Sequence, residues 1–242
     1  SAPFLVILCT KIGGGNGWKI ASGVIIILAI FSIFLFSKMK IDDVVKDKKK
    51  DKISYEFLKN RYFLITAGIL FFYLSAEATI NGWLVKYFID SRIMSIEYAQ
   101  MLASLLWVVI LIGRLTCAFL GDKVSKKALI LTTSIGTAGF YLLLLSSRNL
   151  TVITIAIMGL GLSMAGIYPT TVSTIGNIIK KYPMSMGVLL MVGGVGAIIM
   201  PIITGALSDA FGIFAGMSAI VVAIIMMIVF VVLSVLSKTE SV

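Results

Sequence analysis

The sequence predicts an all-α integral membrane protein, a bundle of apolar helices with lipid as its solvent. Three observations carry that expectation. Of the 242 residues, 59% are hydrophobic and only 13% charged, and the mean hydropathy is +1.07. Soluble domains run nearer half apolar and a quarter charged, so one core could not hide this much apolar surface. Seven segments (20–37, 62–89, 98–120, 128–147, 150–179, 185–208 and 213–237) reach or approach the ~20 apolar residues that cross the hydrocarbon. Finally, the loops between them alternate in charge. One side holds 15 cations, among them Lys48, Lys59, Arg61, Lys126, Lys127, Lys180 and Lys181. The other holds 4, namely Lys11, Lys19, Arg92 and Arg148. The positive-inside rule then puts the long linker and the C-terminus in the cytoplasm.

Taken in order, residues 3–10 (PFLVILCT) read as the last turns of a membrane helix, with neither the basic start nor the cleavage site of a signal peptide. One full span follows. Residues 38–61 (KMKIDDVVKDKKKDKISYEFLKNR) form a mixed-charge linker, too polar to pack and expected as a surface helix with disordered chain. Six further spans complete the chain. The expected organisation is therefore 1–37 as the end of one six-helix half, 38–61 as cytoplasmic linker and 62–242 as a second six-helix half. Such a remnant is what twelve spans in two halves leave when the first half is cut near its fifth helix. Transporters built from two halves carry substrate at their interface near the bilayer midplane.

Composition also excludes. The sequence has no histidine, which removes the usual proton shuttle, the commonest metal ligand and any Ser–His or Cys–His nucleophile pair. Cys9 and Cys117 both sit in apolar segments, so no disulfide framework is expected. The formal net charge of +10 resides mostly in loops, where topology explains it better than nucleic acid does. No cofactor is expected. A membrane enzyme would need clustered catalytic groups at one depth, and a receptor would need a folded signalling domain; the sequence offers neither.

The turn after span 98–120 runs Gly113-Arg114-Leu115-Thr116-Cys117-Ala118-Phe119-Leu120-Gly121-Asp122-Lys123-Val124-Ser125-Lys126-Lys127. It resembles the signature of the major facilitator superfamily, with Ala118 and Ser125 where that family usually has glycine. Residues 159–171 (GLGLSMAGIYPTT) and 187–212 resemble the tenth and eleventh helices of the same superfamily. The tract Ser163–Thr171 and the stretch Ala76–Leu84 resemble its fucose permease branch. The resemblance implies a major facilitator fold in a bacterial plasma membrane and a secondary transporter moving a sugar or related polar solute, with proton symport. Proton-driven efflux of a drug or metabolite is the alternative. Its partners would be a small-molecule substrate, protons, lipid and the other half of the protein. Gly113, Arg114, Asp122, Lys123, Lys126 and Lys127 would form a cytoplasmic conformational latch.

Span 62–89 carries the strongest candidate. Glu77 lies deep in an apolar helix, costly unless it faces a cavity or a partner. Helical spacing stacks Tyr73, Glu77, Asn81 and Leu84 on one face, the expected wet wall of a substrate path, and Asn81-Gly82 offers a break in the helix. In span 150–179, Gly159, Gly161, Gly166 and Pro169 are expected to interrupt the helix, placing Tyr168, Thr170 and Thr171 at a kink beside the cavity. Trp107 could stack on a sugar face, and packing is the competing reading. Gly193, Ala197, Pro201 and Gly205 recur every four residues in span 185–208, a ridge for close helix contact.

Overall fold

The computed structural model describes residues 9, 16–38, 54–120 and 124–237. It divides into two compact units, Ser1–Ile53 and Ser54–Val242. In the first, α1 (Gly17–Lys38) is a 22-residue helix with no charge between Lys19 and Lys38. The second opens with a 3₁₀ turn, Glu56–Lys59, and continues through α2 (Arg61–Asp90), α3 (Ile96–Leu120), α4 (Lys126–Ser146), α5 (Leu150–Thr174), the short α6 (Gly176–Lys181), α7 (Met184–Phe211) and α8 (Ile213–Leu236). Seven of these helices are long and apolar enough to cross a membrane. Apolar length set them: each expected span finds a helix, with ends mostly within three residues.

The α2 helix is the hub. It packs against α3, α5, α7 and α8, while α4 packs on α5 and α8. Phe63, Leu70, Tyr73, Ile80, Leu84 and Phe88 recur at three- to seven-residue spacing and bury completely or nearly so, the stripe a helix needs to face a core. Polar side chains close the helix ends. Asn60 accepts from Tyr62 N–H at 2.9 Å and Phe63 N–H at 3.1 Å, starting α2; Asn149 does the same for α5, and Ser125 for α4. Two buried tyrosines tie helices together by donating to backbone carbonyls: Tyr73 to Met164 at 3.1 Å and Tyr141 to Met217 at 2.8 Å.

Four expectations are corrected. The end of the linker does pack. Phe57 is buried against the rings of Phe63 and Tyr182, with centroids 5.0 and 6.0 Å away, and Tyr182 Oη donates to Glu56 at 2.9 Å. Residues 39–53 of the linker lie outside the described residues. Next, α2 does not break at Asn81-Gly82 but runs on to Asp90. The Asn81 amide donates to the Glu77 carbonyl one turn back at 2.8 Å, a bond within the helix. The third concerns α5, which runs unbroken through Gly159, Gly161, Gly166 and Pro169 and ends instead at Thr174. Its glycines serve contact: a Cβ on Gly159 would strike the Phe140 ring, and one on Gly166 would stand 2.7 Å from Cys117 Sγ. Lastly, the α7 glycines that press on α2 are Gly193 and Gly196, against Leu74, Phe71 and Ser75. Ala197 and Pro201 are only partly buried, because a four-residue spacing drifts around a 3.6-residue helix. Gly205 meets Trp83.

Candidate functional site

Glu77 stands sixteen residues into α2, about 24 Å from its start and near its middle. Its Oε1 lies 3.8 Å from Nη2 of Arg114 on α3. This is an ion pair rather than a hydrogen bond, and Oε1 has no hydrogen-bond partner although it is buried. The Glu77 side chain is 13% exposed and that of Arg114 47%. At this level Gly113 seats α3 against α5. It is buried against Ala165 and Leu162 of α5, and the next residue, turned about 100° around the helix, looks toward α2.

Beyond Arg114 opens a cleft of about 520 Å³, within the range of small-ligand sites. Arg114, Cys117 and Ala118 line it from α3, Lys126 from α4, and Tyr168, Pro169, Thr170 and Ser173 from α5. Lys126 Nζ donates to the Ser173 carbonyl at 3.2 Å, and Ser173 Oγ donates to the Thr170 carbonyl at 2.8 Å. The cleft thus combines two cations with hydroxyls. Among the described residues that line it there is no carboxylate.

The structure therefore brings Glu77, Arg114, Tyr168, Thr170 and Lys126 into one region. Tyr73 stands beside the same pair, its side chain next to both Glu77 and Arg114. It is buried in the bundle with its hydroxyl on Met164, so the stripe of Tyr73, Glu77, Asn81 and Leu84 is no open wall. Trp107 is 43% exposed and shares the Arg114 face two turns away, but it does not line the cleft. Of the signature residues, Asp122 and Lys123 lie outside the described residues. Lys127 Nζ donates to the Ser237 carbonyl at 2.8 Å and stands 6.0 Å from the Tyr62 ring, so it caps the end of α8 while Lys126 caps the end of α5. Among the described residues no three His, Cys, Asp or Glu side chains converge to hold a metal. Sequence reasoning missed the Glu77–Arg114 pair, although a signal existed. Each is a lone charge well inside an apolar span, and such charges seek each other.

A family model described as Major Facilitator Superfamily matches residues 67–242, covering the whole site. The chain belongs to the Major Facilitator Superfamily. It is 29% identical over 206 residues to an uncharacterized MFS-type transporter of Methanocaldococcus jannaschii, covering 79% of this chain and 53% of that protein. It is 24% identical to bypass of stop codon protein 6 of Saccharomyces cerevisiae, over 66% of this chain and 34% of the relative. Against major facilitator superfamily domain-containing protein 4A of Xenopus tropicalis it is 25% identical, over 56% and 27%. The chain thus spans about half the length, or less, of the curated relatives it matches. Its seven apolar helices and its superfamily membership make it an integral membrane protein.

Proposed function

We propose that this chain contributes one helical half to a secondary transporter that moves a small polar solute, a sugar or related compound, by alternating access coupled to protons. The observation that supports this best is the loose Glu77–Arg114 pair at the head of a mostly apolar cleft that carries two cations and three hydroxyl side chains. Buried charges of this kind are retained in membrane helices at substrate and ion paths. In this reading Arg114, Tyr168 and Thr170 meet the solute, and Glu77 carries the coupling proton. Asn81 holds the Glu77 backbone, and Tyr73 fixes α2 on α5 so that the pair keeps its register. Lys126 and Lys127, with Asp122 and Lys123 of the same turn, latch the linker end, which faces the cytoplasm of a bacterial cell.

A second reading, efflux of an apolar compound, draws on a separate cavity of about 360 Å³ among α2, α7 and α8, lined almost wholly by apolar groups such as Phe71, Phe72, Ile203 and Val222. One experiment separates the two. The natural full-length protein is reconstituted in vesicles, and uptake of labelled sugars is measured at two external pH values, wild type against Glu77→Gln. Import predicts that one sugar accumulates faster at acid pH and that the variant loses at least tenfold of that rate. No accumulation of any sugar, with cells carrying folded Glu77→Gln more sensitive to toxic apolar compounds, would establish efflux instead.

A further inference from the structure

We infer that the cleft between α3, α4 and α5 takes a small hydroxylated carboxylate, and that this anion competes with Glu77 for Arg114. The inference deepens the transport reading and rests on it for the step across the membrane. It starts from the inventory of the cleft. Arg114 offers a planar fork of N–H donors and Lys126 a second fixed cation, and neither can accept a hydrogen bond. Tyr168 and Thr170 add hydroxyls. A neutral sugar carries as many donors as acceptors and asks its site for carboxylate or amide oxygens. Those are missing among the described residues that line this cleft. A carboxylate bearing hydroxyls asks for the reverse, which is what the cleft supplies.

The geometry of the ion pair points the same way. A well-made Arg–carboxylate pair has two parallel bonds of about 2.7–2.9 Å. Toward Arg114 Glu77 makes one contact, at 3.8 Å, and its Oε1 hydrogen-bonds to nothing, while the Tyr73 side chain stands beside both charges. Glu77 is mostly buried and Arg114 about half exposed, so the guanidinium is open on its cleft side while already facing an acid on its α2 side. An incoming carboxylate can take the bidentate bond that Glu77 does not make. Two anions then share one guanidinium, and each weakens the hold of the other.

The test uses the natural full-length protein in detergent. Its melting temperature is followed against lactate, gluconate and glucuronate, with glucose, glucuronamide and sodium chloride at matched ionic strength as references. Glucuronamide has nearly the shape of glucuronate without its charge. At least one acid is expected to raise the melting temperature, with no response to glucuronamide. Glu77→Gln removes the competitor and should lower the half-saturating concentration of that acid about threefold to tenfold. Arg114→Gln should abolish the response; should it fail to fold, Arg114→Lys, which keeps the charge but not the fork, should weaken it several-fold. Equal responses to glucuronate and glucuronamide, weaker acid binding by Glu77→Gln, or no response to any of the three acids would each overturn the inference. Proton-driven uptake of a neutral sugar without acid binding overturns it and leaves the transport reading standing. Acid binding that follows these rules in a protein that moves no solute supports the site and sinks the transport reading.

Discussion

A Cβ added to Gly113 would stand 2.6 Å from the Cβ of Ala165 and 3.3 Å from the backbone of Leu162. Neither neighbour is the tip of a flexible side chain, so α3 and α5 must part to make room. Membrane helices associate through such contacts because lipid gives them no hydrophobic drive. Gly139, on α4, has nothing within 4 Å of the same added atom. Gly113→Leu is therefore expected to cost about 2 kcal/mol through overpacking and to lower the melting temperature by roughly 5 °C, with Gly139→Ala neutral or slightly stabilising. Equal effects from the two would mean that the α3–α5 approach carries no stability. Because Gly113 seats the helix that presents Arg114, Gly113→Leu should also loosen acid binding in the cleft. The sequence made Glu77 legible as a candidate through the cost of its burial alone. It grouped Arg114 with the cytoplasmic turn instead, because which residue of α3 meets which residue of α2 depends on how the two helices pack, which no local pattern carries.

At the scale of the element, the helices were legible nearly to their ends, since apolar length and polar caps are local properties. Breaks were not. Pro169 and three glycines suggested an interrupted α5, yet each glycine is met by a neighbouring helix and the helix continues through them to Thr174. The turn Glu56–Lys59 was misjudged for the opposite reason. Its charges are real and exposed, but Phe57, 1% exposed, anchors it between Phe63 and Tyr182, with the Tyr182–Glu56 hydrogen bond beside it. One buried aromatic outweighs the exposed charges of Glu56 and Lys59, because those side chains stay in solvent when the turn docks. Phe57→Ala is expected to remove about 3 kcal/mol of docking and to make the chain at Tyr55–Lys59 at least tenfold more sensitive to trypsin. Tyr182→Phe keeps the ring and loses only the bond to Glu56, so its effect should stay near 1 kcal/mol. Similar proteolysis of wild type and Phe57→Ala would show that the turn is held by something else.

Across the whole molecule, charge separates the two ends of the Ser54–Val242 unit. Lys59, Arg61, Lys126, Lys127, Lys180 and Lys181 gather where α2, α4 and α7 begin and α3, α5 and α8 finish. At the opposite end Lys86, Arg92 and Arg148 are offset by Asp90, Glu97 and Asp209, and Lys86 is tied to Asp90 at 2.6 Å. Several basic-end cations are also built into the fold, since Lys126 and Lys127 hold the ends of α5 and α8. Turning the unit over would carry them across the bilayer without freeing them from those carbonyls, so orientation and folding reinforce each other. Cations translocate poorly during insertion, and the basic end is therefore expected in the cytoplasm. Single cysteines report this in a background of Cys9→Ala and Cys117→Ser. In intact cells a membrane-impermeant maleimide should label Arg148→Cys and spare Asn177→Cys, both at exposed positions, and permeabilised cells should reverse nothing except the protection of Asn177→Cys. Labelling of Asn177→Cys from outside would place the cleft mouth and Lys126 on the external face. The same cleft would then load from the medium in this conformation, and the direction of transport would have to be read the other way.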